Sequence, residues 1–227
     1  MIRFDIISAI PDFFNGPLTT SIIKRAQDKK LVEIYVHNLR DYAYDRHKQI
    51  DDKPFGGEPG MVLKPEPFFE CIEKLLAERE YQNIIFTSPQ GIIFNQETAK
   101  KISLEKNAII VAGRYKGIDE RVREKFATVD ISIGNFVLSG GEIAAVVVVD
   151  SVIRLIPKVL NDSESALNDS FMDGELLSAP VYTRPAEYKG MGVPEVLLSG
   201  NEKLIKEWKA KQSIIITENW KKINRME

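Results

Sequence analysis

Glycines at the ends of two apolar runs are the residues whose type and spacing most suggest ligand chemistry in this chain. The run 108–112 ends in Gly113, and the run 129–133 ends in Gly134. Apolar runs of this length predict buried strands, and glycine at their ends lets a ligand approach the backbone closely. The pair Gly140-Gly141 follows shortly afterwards. Such glycines suit a ligand held by main-chain groups, so we predict a cofactor site in this part of the chain.

The residues after these glycines predict a helix. Ser139 and Glu142 have the spacing of a capping box, and the helix would run through 144–156. Arg154 lies in this predicted helix among apolar neighbours. A charge in such company needs a partner or a route to solvent. Arg154 is therefore either a snorkelling or salt-bridged arginine, or a fixed positive charge at an active site.

Segment 41–60 is polar, rich in Asp and Gly, and without a clear hydrophobic period. Its composition predicts a long loop, and loops of this length tend to be functional or mobile. One interpretation is a flexible turn region. The other is a loop that closes over a substrate, with Asp51, Asp52 and Lys53 as polar contacts.

Two polar positions in the last third of the chain have roles that their local sequence leaves open. Asp169 ends the polar segment 161–169, where its residue type alone favours a helix N-cap. Arg184 lies in the segment 182–185, which is either a turn or a phosphate contact. Residues 201–227 carry seven Lys and Arg against four Glu, so this is the best local basic surface, although the charges by themselves favour a solvated helix face.

The composition excludes several classes of protein. The 227 residues carry 31 Lys and Arg against 33 Asp and Glu, a net charge of −2, which gives no global signal for nucleic-acid binding. One cysteine and two histidines are too few for an internal disulfide or a zinc site. The sequence has no G-x-G-x-x-G, phosphate-loop or G-x-S-x-G motif. It has no signal-peptide form and no bilayer-spanning run, so we expect a soluble cytoplasmic protein.

Strand and helix patterns alternate along the first part of the chain and predict an α/β domain with a largely parallel sheet. Strands are predicted at 3–8, 31–39, 83–88, 108–112 and 129–133, and helices at 18–30, 65–80 and 95–106. The pattern changes after Pro157, which predicts a main domain 1–160, a flexible linker 161–169 and a second domain 170–227 with a helix at 200–219.

Five segments together carry a resemblance to a known family. They are DDKPFGGEPGM, GRYKGIDERV, SIGNFVLSGGE, YTRP and VLLSGN. In this order they resemble the bacterial tRNA (guanine-N1)-methyltransferases, the TrmD type of the SPOUT superfamily. The resemblance implies a deep trefoil knot in the α/β domain, a small helical C-terminal domain that binds tRNA, and an obligate homodimer with tRNA bound across both subunits. The target would be N1 of the guanine just 3′ of the anticodon, when another guanine precedes it.

The resemblance also implies roles for particular residues. By position, Asp169 is similar to the family's catalytic base, and Arg154 to the arginine that acts with it. Contacts with tRNA are implied for Asp51, Asp52, Lys53, Arg114 and Arg184. S-adenosylmethionine would be bound by Thr87, Ser88, Pro89, Gly113, Ser132, Ile133, Gly134, Asn135, Phe136, Val137, Leu138, Gly140 and Gly141.

The chain departs from the family pattern at positions that bear on the metal. Lys116 stands where a glutamate is usual, and Glu58 stands where a third glycine is common. Magnesium dependence is a family trait, and Lys116 removes the glutamate that could help to position the ion. No residue is assigned as a metal ligand. Two alternatives stay open: a ribose 2′-O-methyltransferase of the same superfamily, and a non-catalytic RNA-binding protein with a vestigial cofactor pocket.

Overall fold

The computed structural model describes residues 1–160, 169–172 and 174–224. The chain forms two compact units, Met1–Asn161 and Asp162–Glu227. Most of the predicted linker, residues 161–168, lies outside the described residues. None of the described helices combines the length and the apolar character needed to cross a bilayer.

A parallel sheet of five strands forms the centre of the first unit, which confirms the predicted α/β class. Its spatial order is β2-β1-β6-β5-β7, and every neighbouring pair runs parallel. A separate antiparallel pair is formed by β3 and β4. The strands are β1 Ile2–Ser8, β2 Val32–Asn38, β3 Asp51–Asp52, β4 Val62–Leu63, β5 Asn83–Ile93, β6 Asn107–Ala112 and β7 Val129–Ser132.

Helices cover both faces of this sheet, because residues of a strand point alternately to opposite sides. Phe4 and Ile6 of β1 belong to one buried core, and Ile7 belongs to the other. Helices α1, α3 and α5 contribute to the first core, and α2 and α4 to the second. The helices are α1 Ser21–Asp28, α2 Pro65–Glu78, α3 Gln96–Ser103, α4 Glu120–Phe126 and α5 Glu142–Ile153.

Strand β5 does not end at Ser88, so the predicted boundary was wrong. Thr87 and Ile92 both pair with Ile131 of β7, and the residues between them leave the ladder. Gly91 makes the return of the strand sterically feasible, because a Cβ there would lie 2.4 Å from the carbonyl carbon of Asp130. The segment 88–91 is therefore an excursion from a continuous strand rather than a loop that ends it.

The predicted capping box before α5 is also wrong. The N-cap is Gly141, and no side chain caps it. Glu142 turns instead toward the first strand, where its Oε1 accepts a 2.9 Å hydrogen bond from Ser8 Oγ in a buried position. A carboxylate in the first turn of a helix is also favoured by the helix dipole. Glu142 is thus bonded to Ser8 rather than to the backbone of Ser139, the partner that the capping-box spacing predicts.

The second unit contains β8 Glu187–Tyr188, β9 Met191–Gly192, α6 Glu195–Leu198 and α7 Glu202–Asn224. The two strands form an antiparallel hairpin. The long helix α7 confirms the predicted helix and extends it at the C-terminal end. Phe171 packs edge-on against Trp220, and Leu177 N donates to Thr217 Oγ1 at 3.0 Å, so these contacts attach the start of the unit to α7.

Candidate active site

A cavity of about 470 Å³ opens where three segments of the first unit converge. The segments are the 88–91 excursion of β5, the loop after β6 and the loop after β7. Ligand pockets in parallel α/β folds commonly lie beyond the strand ends, where connecting loops meet. The cavity lies in the part of the chain where the glycine spacing predicts a ligand site.

Twelve of the thirteen residues predicted to bind a cofactor line this one cavity, and Asn135 is the exception. Asn135 is exposed and its side chain is not part of the wall. The twelve are Thr87, Ser88, Pro89, Gly113, Ser132, Ile133, Gly134, Phe136, Val137, Leu138, Gly140 and Gly141. The fold therefore brings together residues that are up to 54 positions apart in the chain.

Gly141 brings the start of α5 against the ends of β5 and β6. Its N–H donates a 2.7 Å hydrogen bond to Gly113 O, and Gly140 forms a bridge with Arg114. A Cβ on Gly141 would lie 2.0 Å from Thr87 Oγ1 and 3.0 Å from Gly113 N. The φ of Gly141 is −79°, so glycine is required here by the close approach of backbones and not by conformation.

Gly134 shapes another part of the cavity wall. Its φ of +144° is accessible to glycine and rarely to other residues, and the ring of Phe136 lies over its Cα. Ser132 Oγ accepts from Gly134 N and donates to Gly134 O, both at 3.3 Å. This tight turn places Gly134 and the ring of Phe136 on the cavity wall.

The charged side chains of the wall are mostly positive. Among the described residues, the cavity is lined by Arg114, Lys116, Glu120 and Arg123. Arg123 pairs with Glu120 and, at 2.7 Å, with Asp130. Donating hydrogen bonds to these two carboxylates raises the pKa of Arg123, and accepting the bond from Arg123 lowers the pKa of Glu120. Glu120 and Asp130 thus offset the charge of Arg123, and Arg114 and Lys116 are the other cations of the wall.

The segment 51–63 is attached to the cavity rim and is not irregular throughout. Asp51 and Asp52 form β3, which pairs with β4, whereas Lys53 is exposed beyond it. Lys116 N donates to Met61 O at 3.0 Å. Leu63 N donates to Gly117 O, and Asp119 N donates to Leu63 O, each at 3.0 Å. This ladder holds the predicted substrate loop beside the loop after β6.

Residues 2–224 match the family model described as tRNA (Guanine-1)-methyltransferase TrmD.
The chain belongs to this family.
A tRNA (guanine-N(1)-)-methyltransferase of Bacteroides fragilis (strain YCH46) is 56% identical over 212 residues, which cover 93% of this chain and 94% of that protein. A tRNA (guanine-N(1)-)-methyltransferase of Chlorobium chlorochromatii is 52% identical over 212 residues, which cover 93% of this chain and 91% of that protein. The crystal structure of the tRNA (m1G37) methyltransferase from Aquifex aeolicus superposes with a TM-score of 0.79 and 39% identity, and covers 97% of this chain and 93% of that one.

Membership of the tRNA (guanine-1)-methyltransferase family confirms the resemblance drawn from the five segments. The two residues predicted to be catalytic lie in different units. Arg154 is exposed and directly follows α5, and Asp169 is exposed in the second unit, where its carbonyl accepts from Met172 N at 3.3 Å. The predicted tRNA contact Arg184 is exposed in the second unit, and Arg114 lies on the cavity wall. Their roles stay predictions.

Several cavity residues were not assigned to the cofactor site from the sequence. Gln90 lies in the β5 excursion, where the sequence pattern predicts the end of a strand. Glu120 and Arg123 belong to α4, a helix that was not predicted. A signal was present, because Asp119 caps α4 by accepting from Arg121 N at 3.1 Å. The sequence also places Val122 and Phe126 four residues apart, so both lie on the same face of a helix.

Proposed function

We propose that this protein methylates N1 of the guanine just 3′ of the anticodon in tRNA, when another guanine precedes it, with S-adenosylmethionine bound in the cavity. The observation that carries the proposal is the family match along residues 2–224 together with the convergence of twelve predicted binding residues on one cavity. The test is to treat unmodified tRNA with the protein and methyl-labelled cofactor, and to identify the methylated nucleoside and its position by mass spectrometry. Label on a ribose, or none on tRNA, would overturn the proposal.

The cavity suits S-adenosylmethionine in size and in chemistry. Its volume of about 470 Å³ lies within the roughly 300–1,000 Å³ of small-molecule sites. Gly140 and Gly141 present main chain where a side chain cannot fit. The half-exposed ring of Phe136 gives an apolar surface for the flat part of the molecule. When bound, the cofactor supplies an electrophilic methyl group on sulfur.

The protein side chains would prepare the guanine for this methyl group. Guanine N1 carries a proton, so its lone pair becomes available only when a base removes it. We assign this base to the Asp169 carboxylate. Negative charge then spreads to the guanine carbonyl oxygen, where the Arg154 guanidinium would stabilise it. The described residues contain no group of three or more His, Cys, Asp or Glu side chains that could hold a metal ion, and no residue is assigned as a metal ligand.

Replacing Asp169 by asparagine tests the assignment of the base. The variant keeps the shape of the side chain and loses its basicity, so we expect turnover to fall by about 10²- to 10⁴-fold with unchanged cofactor affinity. Glu187→Gln removes an exposed carboxylate of the same unit and serves as the control. Near-normal turnover of Asp169→Asn would exclude Asp169 from the mechanism.

A trefoil knot and a homodimer complete the proposal. The knot is supported by the chain after β7, which passes against Gly113 before α5 packs on β1, β6 and α3.

The dimer is supported by α5, whose residues Ile143 and Val147 are 46% and 37% exposed although most of the helix is buried. An apolar stripe that faces water on a core helix suits contact with a second copy.

A dimer with composite sites predicts complementation between subunits. Arg154 of one chain would face Asp169 of its partner, and tRNA would contact both chains, including the lysines of α7. An Arg154→Ala chain mixed with an Asp169→Ala chain should recover activity in hybrid dimers. Inactive hybrids formed from parents that still bind cofactor would contradict the composite site.

A further inference from the structure

Lys116 and Glu58, two positions that depart from the family pattern, face each other beside the cavity. Lys116 Nζ lies 3.9 Å from Glu58 Oε2. Lys116 is also part of the cavity wall. The two residues belong to different segments, since Glu58 lies between β3 and β4 and Lys116 in the loop after β6. Their ion pair therefore joins the outer part of segment 51–63 to the cavity rim.

This ion pair is long and solvated, so it is easily exchanged. The side chains of Lys116 and Glu58 are 52% and 75% exposed. Exposed ion pairs contribute little to stability, because water screens the charges and two flexible side chains must be ordered. The pair between Arg123 and Asp130 on the same wall is different, with a distance of 2.7 Å and smaller exposed fractions of 31% and 18%. Lys116 is thus the more readily exchanged of the two ion-paired cations.

The position of the Lys116 ammonium is nevertheless defined by the backbone and by the stem of the side chain. Lys116 N donates to Met61 O, and Gly117 N donates to Arg114 O, which fixes the turn that carries the side chain. The stem lies against Gly60, where a Cβ would be 2.9 Å from Lys116 Cγ. A fixed stem with a weakly held ammonium at its end is suited to receive an anion from solution.

We infer that Lys116 binds a backbone phosphate of the RNA substrate, and that Glu58 is a built-in counter-ion which the phosphate displaces. The ligand follows from the proposed function, in which a tRNA must reach the cavity with its phosphates. Arg114, the second cation on this rim, has no carboxylate partner among the described residues and adds to the positive potential. Glu58 lowers the potential in the absence of RNA and so disfavours other small anions.

The test measures binding of unmodified tRNA as a function of salt concentration for Lys116→Ala, Glu58→Gln and the wild type. Each phosphate contact adds about 0.7–0.9 to the slope of log affinity against log salt. Lys116→Ala should reduce the slope by this amount. Raising the salt from 50 to 200 mM should therefore weaken tRNA binding by the variant about threefold less than it weakens binding by the wild type. Glu58→Gln should bind more tightly at low salt, by about two- to fivefold, because the ammonium no longer has to leave a carboxylate.

Lys101→Ala is the matched control. Lys101 forms an exposed ion pair with Glu97, also at 3.9 Å, on α3. This variant should leave the slope unchanged. Lys116 could instead bind the carboxylate of S-adenosylmethionine. Calorimetry of the cofactor with Lys116→Ala distinguishes this from binding of a tRNA phosphate.

Three results would overturn the inference. An unchanged slope for Lys116→Ala would show that Lys116 meets no phosphate. Weaker tRNA binding by Glu58→Gln would show that the pair acts as a latch and not as an exchangeable site. Weaker cofactor binding by Lys116→Ala with an unchanged slope would assign Lys116 to the cofactor. Failure of the proposed function itself would be seen separately, as wild-type protein that binds tRNA without transferring a methyl group.

Discussion

Replacing Gly141 by alanine tests the closest approach of main chains in the cavity wall. The added Cβ would lie 2.0 Å from Thr87 Oγ1 and 3.1 Å from Ala112 Cα. Thr87 cannot simply turn away, because its Oγ1 donates a 3.1 Å hydrogen bond to Val111 O and its Cβ is branched. The start of α5 must therefore move away from β5 and β6.

The size of the effect follows from two contributions. Overpacking of a buried contact costs about 1–3 kcal/mol. Moving α5 also stretches the 2.7 Å hydrogen bond from Gly141 N to Gly113 O, which contributes about 1 kcal/mol. We expect a loss of about 3 kcal/mol in the free energy of unfolding, or roughly 6–12 °C in Tm for a chain of this size. Cofactor affinity should fall by about tenfold or more, because these atoms form the wall.

Two variants make the measurement specific. Gly16→Ala adds the same methyl group where no atom lies within 4 Å, at a φ of −86°, so its Tm should stay close to that of the wild type. Thr87→Ala combined with Gly141→Ala removes the nearest clashing atom and should recover part of the loss. Thermal and urea unfolding, with calorimetry for the cofactor, provide the values. If Gly141→Ala unfolds and binds cofactor like Gly16→Ala, the close approach of α5 to the strand ends is refuted.

Two further predictions concern buried groups away from the cavity. Burial alone would raise the pKa of Asp5, but hydrogen bonds from His37, Arg3 and Tyr81 outweigh it and lower the pKa to about 2. Ionised Asp5 therefore adds about 2–3 kcal/mol to the free energy of unfolding, and this contribution is complete above pH 4 and is lost as the pH falls toward 2. The Asp5→Asn variant should lack this loss of stability in acid. An acid-unfolding profile identical to that of the wild type would contradict the prediction. Burial raises the pKa of the Cys71 thiol to about 12. This single thiol should therefore react with a thiol reagent only when the protein unfolds. Rapid reaction of the native protein would contradict the burial of Cys71.

The strands and the residues that line the cavity could largely be predicted because both depend on local patterns. The run 108–112 became the fully buried end of β6, and the glycines after it became the cavity wall. Parallel strands buried on both faces give continuous apolar runs, and this signal needs no knowledge of the partners. The class of fold followed from the alternation of such runs with helices.

The errors occurred where a distant residue determined the structure. Glu142 had a local partner by spacing and found Ser8 instead, 134 residues away in the chain. The β5 excursion depends on Gly91 meeting the backbone of Asp130, which no pattern near Gly91 reveals. The ion pair between Lys116 and Glu58 likewise joins two residues that lie 58 positions apart in the chain. Tertiary contacts of this kind override local preferences and are not encoded in spacing.

The hydrogen bond between Ser8 and Glu142 has a consequence for biosynthesis. The ribosome releases β1 first, yet the first-core face of that strand is covered by α5, which is completed only at Ile153. Until then Phe4 and Ile6 lack their final cover, and a nascent chain of about 140 residues presents an incompletely covered apolar sheet face to solvent. Translation of the last helix of this unit is therefore the step that both closes the core and creates the cavity, so a chain truncated before Glu142 should be insoluble as well as inactive.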